Sequence, residues 1–204
     1  MAAKKSAPRV TREEASDRLI RAVIDLLADD DMVDITVDRA TEKAGLASGH
    51  VLVHRYFGSR TDLMSAVARR LATEIVSVID APLDEKLNPT GDPATGGLLS
   101  IGRGVELIRR RALVLAELQT VAADPLPHAD DYQSIYEAVR RHLAEVVTNE
   151  RMLKPIAYKV LALIHMEATQ RAWTGTSDED RADIRRLILG EMAAADEVAR
   201  KLGW

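Results

Sequence analysis

Residues 36–60, TVDRATEKAGLASGHVLVHRYFGSR, decide the reading of the fold. Thr36 is a good helix N-cap, and Asp38 follows in the first turn, where the helix dipole favours an anion. Val37, Ala40, Thr41 and Ala44 recur at helical spacing. Gly45 stands where a left-handed C-cap lets the chain turn sharply. The pattern predicts a second helix from near Ser48, with Val53 and Phe57 on one face and His50, His54 and Arg55 on others, broken at Gly58-Ser59. Helix, glycine turn and polar second helix form a helix-turn-helix pattern. Between Glu42 and Asp62 there is no acidic side chain, while Lys43, Arg55 and Arg60 lie there with His50 and His54. A stretch free of acids and dotted with cations suits a phosphate backbone. On pattern alone, an ordinary helical hairpin with a solvated polar face fits as well.

Upstream, Thr11 opens a helix and Glu14, three residues on, completes a capping box. Leu19, Ile20, Val23, Leu26 and Leu27 form its apolar stripe, and Asp29-Asp30-Asp31 ends it. Residues 1–10 carry Lys4, Lys5, Pro8 and Arg9 and read as a terminal arm, either without a role or touching DNA. Downstream, Ser59 and Asp62 form a second capping signature. Leu63, Met64, Val67, Leu71, Ile75 and Ile79 then predict a helix over about 60–81. Residues 82–97 are loop-rich. Further helices are predicted over 98–123, with a break near 109–111, then over 131–149, 153–173 and 177–202. No stretch alternates as a strand does, so the fold class is all-α.

The chain has 204 residues, 47% hydrophobic and 29% charged, as in globular rather than disordered proteins. At 3% aromatic, its core must be built from Leu, Ile, Val, Ala and Met. Zero cysteines exclude a disulfide framework, a thiol nucleophile and a cysteine zinc site. A net charge of -4 requires any nucleic-acid binder to present its cations locally. No apolar run reaches membrane-spanning length and Lys4-Lys5 precedes no signal core, so a cytoplasmic location without membrane contact is expected.

With these residues in view, the first 80 or so positions resemble the TetR (tetracycline repressor) family of bacterial transcriptional regulators. The capped helix from Thr11, Thr36-Val37, Ala44-Gly45-Leu46 and LVHRYFGSR running on to Asp62-Leu63 carry the resemblance. Between Gly45 and Phe57 the chain is longer than the family pattern by about two residues, which either lengthen the second helix or enlarge the turn. The resemblance implies a helix-turn-helix DNA-binding domain over 1–58 and a helical ligand-binding and dimerisation domain over 59–204. It implies that Thr36 contacts phosphate, that His54 lies on the DNA backbone and that Arg55 reaches bases. Tyr56 would bond phosphate and Arg60 would replace a family lysine, while Val53 and Phe57 would be core. Ser48, Gly49 and His50 would enter or border the groove. A double-stranded operator and a small-molecule effector are the implied partners.

The last two predicted helices carry stripes of apolar and small residues that could form a four-helix bundle with a second copy or pack within one protomer. Homodimerisation is the expectation, because a helix-turn-helix reader normally needs two half-sites. Tyr132, Tyr136, His165, Met166 and Trp173 are the candidate effector contacts, and scarce aromatics with abundant Leu, Ile and Met point to an apolar effector. His50 and His54 have a metal-ligand spacing, but HVLVH lacks a third ligand, so no metal or cofactor is expected. No nucleophile–base order or phosphate loop stands out, and an enzyme is not expected. The competing expectation is a helical scaffold or small-molecule binder that does not bind DNA.

Overall fold

The computed structural model describes residues 11–29, 35–47, 49–121 and 129–174. They form seven helices and no strand: α1 (Arg12–Asp29), α2 (Val37–Lys43), α3 (Gly49–Tyr56), α4 (Arg60–Asp80), α5 (Pro93–Val121), α6 (Ala129–Leu143) and α7 (Glu150–Thr174). The chain divides into two compact units, Met1–Val67 and Ala68–Trp204, and the division falls within α4.

The first unit is held by local stops and starts that the sequence spells out. Glu14 N donates to Thr11 Oγ1 at 3.2 Å, capping α1. Arg39 N donates to Thr36 Oγ1 at 3.2 Å, capping α2. Gly45 takes a φ of 65°, which an L side chain adopts only with strain. Around it, Leu46 N bonds Thr41 O and Gly45 N bonds Glu42 O, the paired bonds of a Schellman turn. Gly58, with a φ of 95°, ends α3. Asp62 N then donates to Ser59 Oγ at 3.0 Å, and Ser59 Oγ donates to Asp62 Oδ2 at 2.6 Å, a reciprocal cap on α4. Leu19, Val23 and Leu27 of α1 are buried, as are Ile35, Val37, Ala40, Val53, Leu63, Met64 and Val67. Phe57, expected as core, is half-buried. The connection between α2 and α3 spans residues 44–48 and α3 has eight residues.

In the second unit α5, α6 and α7 pack on one another around a core that includes Ile75 and Ile79 of α4. Asp92 caps α5 by accepting from Thr95 N at 2.8 Å, with Pro93 at the first helical position, where no N–H is needed. The predicted break at 109–111 does not occur, and α5 runs unbroken from Pro93 to Val121. Glu106 pairs with Arg109 at 2.7 Å and with Arg110 at 3.3 Å along the helix, so the arginines are neutralised at i+3 and i+4 instead of repelling the turn. Arg103 donates to the carbonyls of Ile79, Ala81 and Pro82, taking up acceptors at the end of α4. Arg141 and His142 of α6 both reach Asp80, at 2.6 and 3.2 Å. The observed α6 is shorter than predicted, ending at Leu143, and α7 begins three residues early, at Glu150. The α7 residues Val160, Leu161, Ile164 and Ala168 are buried, the first three in the second unit's own core. Val160, Leu161 and Ile164 therefore pack within the protomer. The predicted helix over 177–202 lies outside the described residues. Among the described residues no helix is long and apolar enough to cross a membrane.

Candidate nucleic-acid interface and effector cluster

Helix α3 is amphipathic in the sense its sequence demands. Val53 faces inward at 4% exposure, whereas His50, Val51, His54 and Arg55 are exposed. These four occupy positions i, i+1, i+4 and i+5, which share one side of a helix. The first unit thus presents two imidazoles, one guanidinium and one apolar side chain together. His50 Nε2 lies 3.6 Å from Asp38 Oδ1, but both side chains are largely solvated, so the pair holds little energy. Thr36 is exposed, and its oxygen accepts from Arg39 N while its hydroxyl proton can still donate. Gly49 opens α3, and Ser48 lies outside the described residues.

Tyr56 is half-buried at the end of α3. Its carbonyl accepts from Arg12 Nη2 at 3.3 Å, and the Arg12 guanidinium carbon lies 6.0 Å from its ring centroid. Arg12 therefore brings a cation to the C-terminal end of α3, where the helix dipole favours it. The sequence gives no signal for this contact, because the residues are 44 positions apart. Arg60 is half-buried and donates to Ile35 O at 3.0 Å, and burial draws its pKa down. Val51 stands beside His50, His54 and Arg55 at 65% exposure. Among the described residues no group of three His, Cys, Asp or Glu side chains could hold a metal ion.

The second unit gathers a different chemistry. Tyr136 of α6 is 4% exposed and stacks on Tyr158 of α7, with ring centroids 4.6 Å apart and planes inclined by 24°. Tyr132 is partly exposed, His165 is half-buried and Met166 is exposed. Trp173 lies in α7, its side chain outside those described. Burial pushes the Tyr132 and Tyr136 phenols up and holds the His165 imidazolium below its ordinary range, with the charge of Arg111 acting in the same direction on His165. Arg111 itself, on α5, is buried at 4% exposure. Sequence reasoning missed it: in a run of three arginines nothing marks that Arg109 and Arg111 are buried, at 8% and 4% exposure, and that Arg110 is not.

A three-helix unit ending in a helix-turn-helix, followed by a helical unit with a polar cluster, defines a two-part helical class of protein. Comparison with solved structures identifies the fold. A TetR-family transcriptional regulator from Streptomyces coelicolor matches 93% of this chain and 83% of its own, at a TM-score of 0.63 and 18% identity. A second TetR regulator from the same organism matches 88% and 97%, at 0.55 and 19% identity. RolR in complex with resorcinol matches 92% and 94%, at 0.50 and 18% identity. The chain has the fold of TetR-family transcriptional regulators. No protein-family model matches the sequence, and no curated protein does.

Proposed function

We propose that the chain is a TetR-type DNA-binding transcriptional regulator, acting as a ligand-responsive homodimeric repressor on a near-palindromic operator. The observation that supports this reading most is the exposed side of α3, where His50, Val51, His54 and Arg55 stand together in a stretch without acids. An α-helix fits the major groove of duplex DNA. Arg55 is the guanine reader in this proposal, donating to O6 and N7, and Val51 packs on a thymine methyl. His54, Tyr56 and Thr36 contact phosphates, with Ser48, Gly49 and His50 entering or bordering the groove. Arg60 adds positive charge at the start of α4 while holding Ile35. The DNA-binding domain extends over 1–58 and the effector and dimer domain over 59–204.

RolR, which matches this fold, is in complex with a small aromatic ligand, resorcinol. In this chain the effector would lie by Tyr132, Tyr136, His165, Met166 and Trp173. It would act only through a preference for one of two arrangements of the paired heads. Dimerisation is assigned to the last two predicted helices, over 153–173 and 177–202, because a helix-turn-helix reader normally needs two half-sites.

Fluorescence anisotropy with genomic duplex fragments at graded salt tests the proposal. A regulator selects particular fragments and loses affinity steeply as salt rises. A helical scaffold or small-molecule binder shows no duplex binding at any salt. Light scattering must give the mass of two chains.

A further inference from the structure

We propose that Arg111 anchors the carboxylate of a small aromatic monoacid in the second unit, among α5, α6 and α7, an assignment that rests on the effector-responsive reading above. Arg111 is 4% exposed. Its Nε donates to the backbone carbonyl of Ala68 at 3.3 Å, while its Nη2 has no hydrogen-bond partner among the described residues. Buried guanidinium groups are normally paired, because a charge removed from water without compensation is costly. Asp131 of α6 offsets the charge in part. The unpartnered Nη2 is the donor that a carboxylate would take, beside the Nε already held by Ala68.

The neighbours fit one anion and no more. Tyr132 and His165 both feel the Arg111 charge. The Tyr132 phenol keeps its proton and remains a donor, and the His165 ring is neutral near pH 7. One buried cation, offset only in part by Asp131 and set beside two neutral hydrogen-bonding groups, leaves room for one carboxylate, and Asp131 would repel a second. The stacked pair Tyr136–Tyr158 offers ring surface for an aromatic body. Tyr132 and Tyr158 are 38% and 41% exposed, so the cluster is open to solvent at that edge. The apolar effector expected from composition is thereby refined to an aromatic ring bearing one acid group.

The test uses the full chain without DNA, titrated calorimetrically with benzoate, salicylate and phenylacetate and with the neutral isostere benzamide. At least one acid should bind about tenfold or more tightly than benzamide, and Arg111→Gln should lose about tenfold or more of that affinity, with partial recovery in Arg111→Lys. Arg111→Met should melt no lower than the parent, because it removes an incompletely paired buried charge, whereas a purely structural arginine would lower the melting temperature when replaced. Binding of none of the three acids, equal binding of benzamide, or unchanged binding in Arg111→Gln overturns the assignment. Should Arg111→Gln fail to fold, the contrast between acids and benzamide in the parent chain decides. Acid binding that leaves duplex affinity unchanged upholds the Arg111 assignment and sinks the effector-responsive reading on which it was built.

Discussion

Arg60, the first residue of α4, donates a hydrogen bond of 3.0 Å to the backbone carbonyl of Ile35, the residue just before the N-cap of α2. Ile35 is buried at 1% exposure. One side chain thus ties the start of α4 to the entry of α2 across 25 positions, and helps fix the helix pair that carries α3. Arg60→Ala should lower the stability of the chain by about 1.5–3 kcal/mol, the range for hydrogen bonds to charged groups. Urea unfolding followed by circular dichroism measures it. A loss of DNA affinity with no loss of stability would assign Arg60 to phosphate alone.

Arg55 offers the opposite case. It is exposed on α3, so its removal should leave the melting temperature unchanged. Arg55→Ala should weaken binding to the selected fragment by about 1–3 kcal/mol and relax the preference at one base pair. Anisotropy against a set of single-base operator variants reads both effects. Equal affinity for all variants before and after the substitution would exclude Arg55 as a base reader.

Two glycines of α5 should respond in opposite directions. A Cβ on Gly97 would collide with the backbone carbonyl oxygen of His142, so α5 passes the end of α6 at a distance that only glycine permits. Gly97→Ala should destabilise by about 1–3 kcal/mol, since the backbone carbonyl cannot rotate away as a side chain would. Gly102 meets nothing within 4 Å in the same helix. Gly102→Ala should stabilise by about 0.5–1 kcal/mol through lower backbone entropy in the unfolded chain. Parallel denaturant titrations of the two variants compare them directly.

His165 predicts a pH dependence. Burial, then the charge of Arg111, holds its pKa below the ordinary 6.5. As pH falls through 6.5 the unfolded chain takes up this proton before the folded chain does, so the folded state loses stability. The loss continues until the folded-state pKa is passed, and above 6.5 this residue contributes no slope. The difference in stability between the parent and His165→Gln should therefore be flat at neutral pH and change below 6.5. Imidazole proton resonances give the same pKa independently, and a midpoint above 6.5 would contradict the burial seen here.

Sequence alone determined where the helices of the first unit begin and end. Thr11, Thr36 and Ser59 cap α1, α2 and α4 through bonds spanning three residues, and Gly45 and Gly58 turn the chain where a positive φ is needed. Such features are local, and a residue's own neighbours suffice to specify them. The outward polar side of α3 was legible for the same reason, because burial of Val53 turns its helical opposites to solvent. Tertiary structure decided the rest. Arg111 becomes a buried cation because helices far apart in sequence close around it, and it reaches a carbonyl 43 positions away. The break expected near 109–111 does not form, and α5 runs through it with Glu106 paired to Arg109 and Arg110. Arg12 on Tyr56, Arg60 on Ile35 and Gly97 beneath His142 are likewise long-range contacts, fixed by how helices pack and not by the identity of adjacent residues.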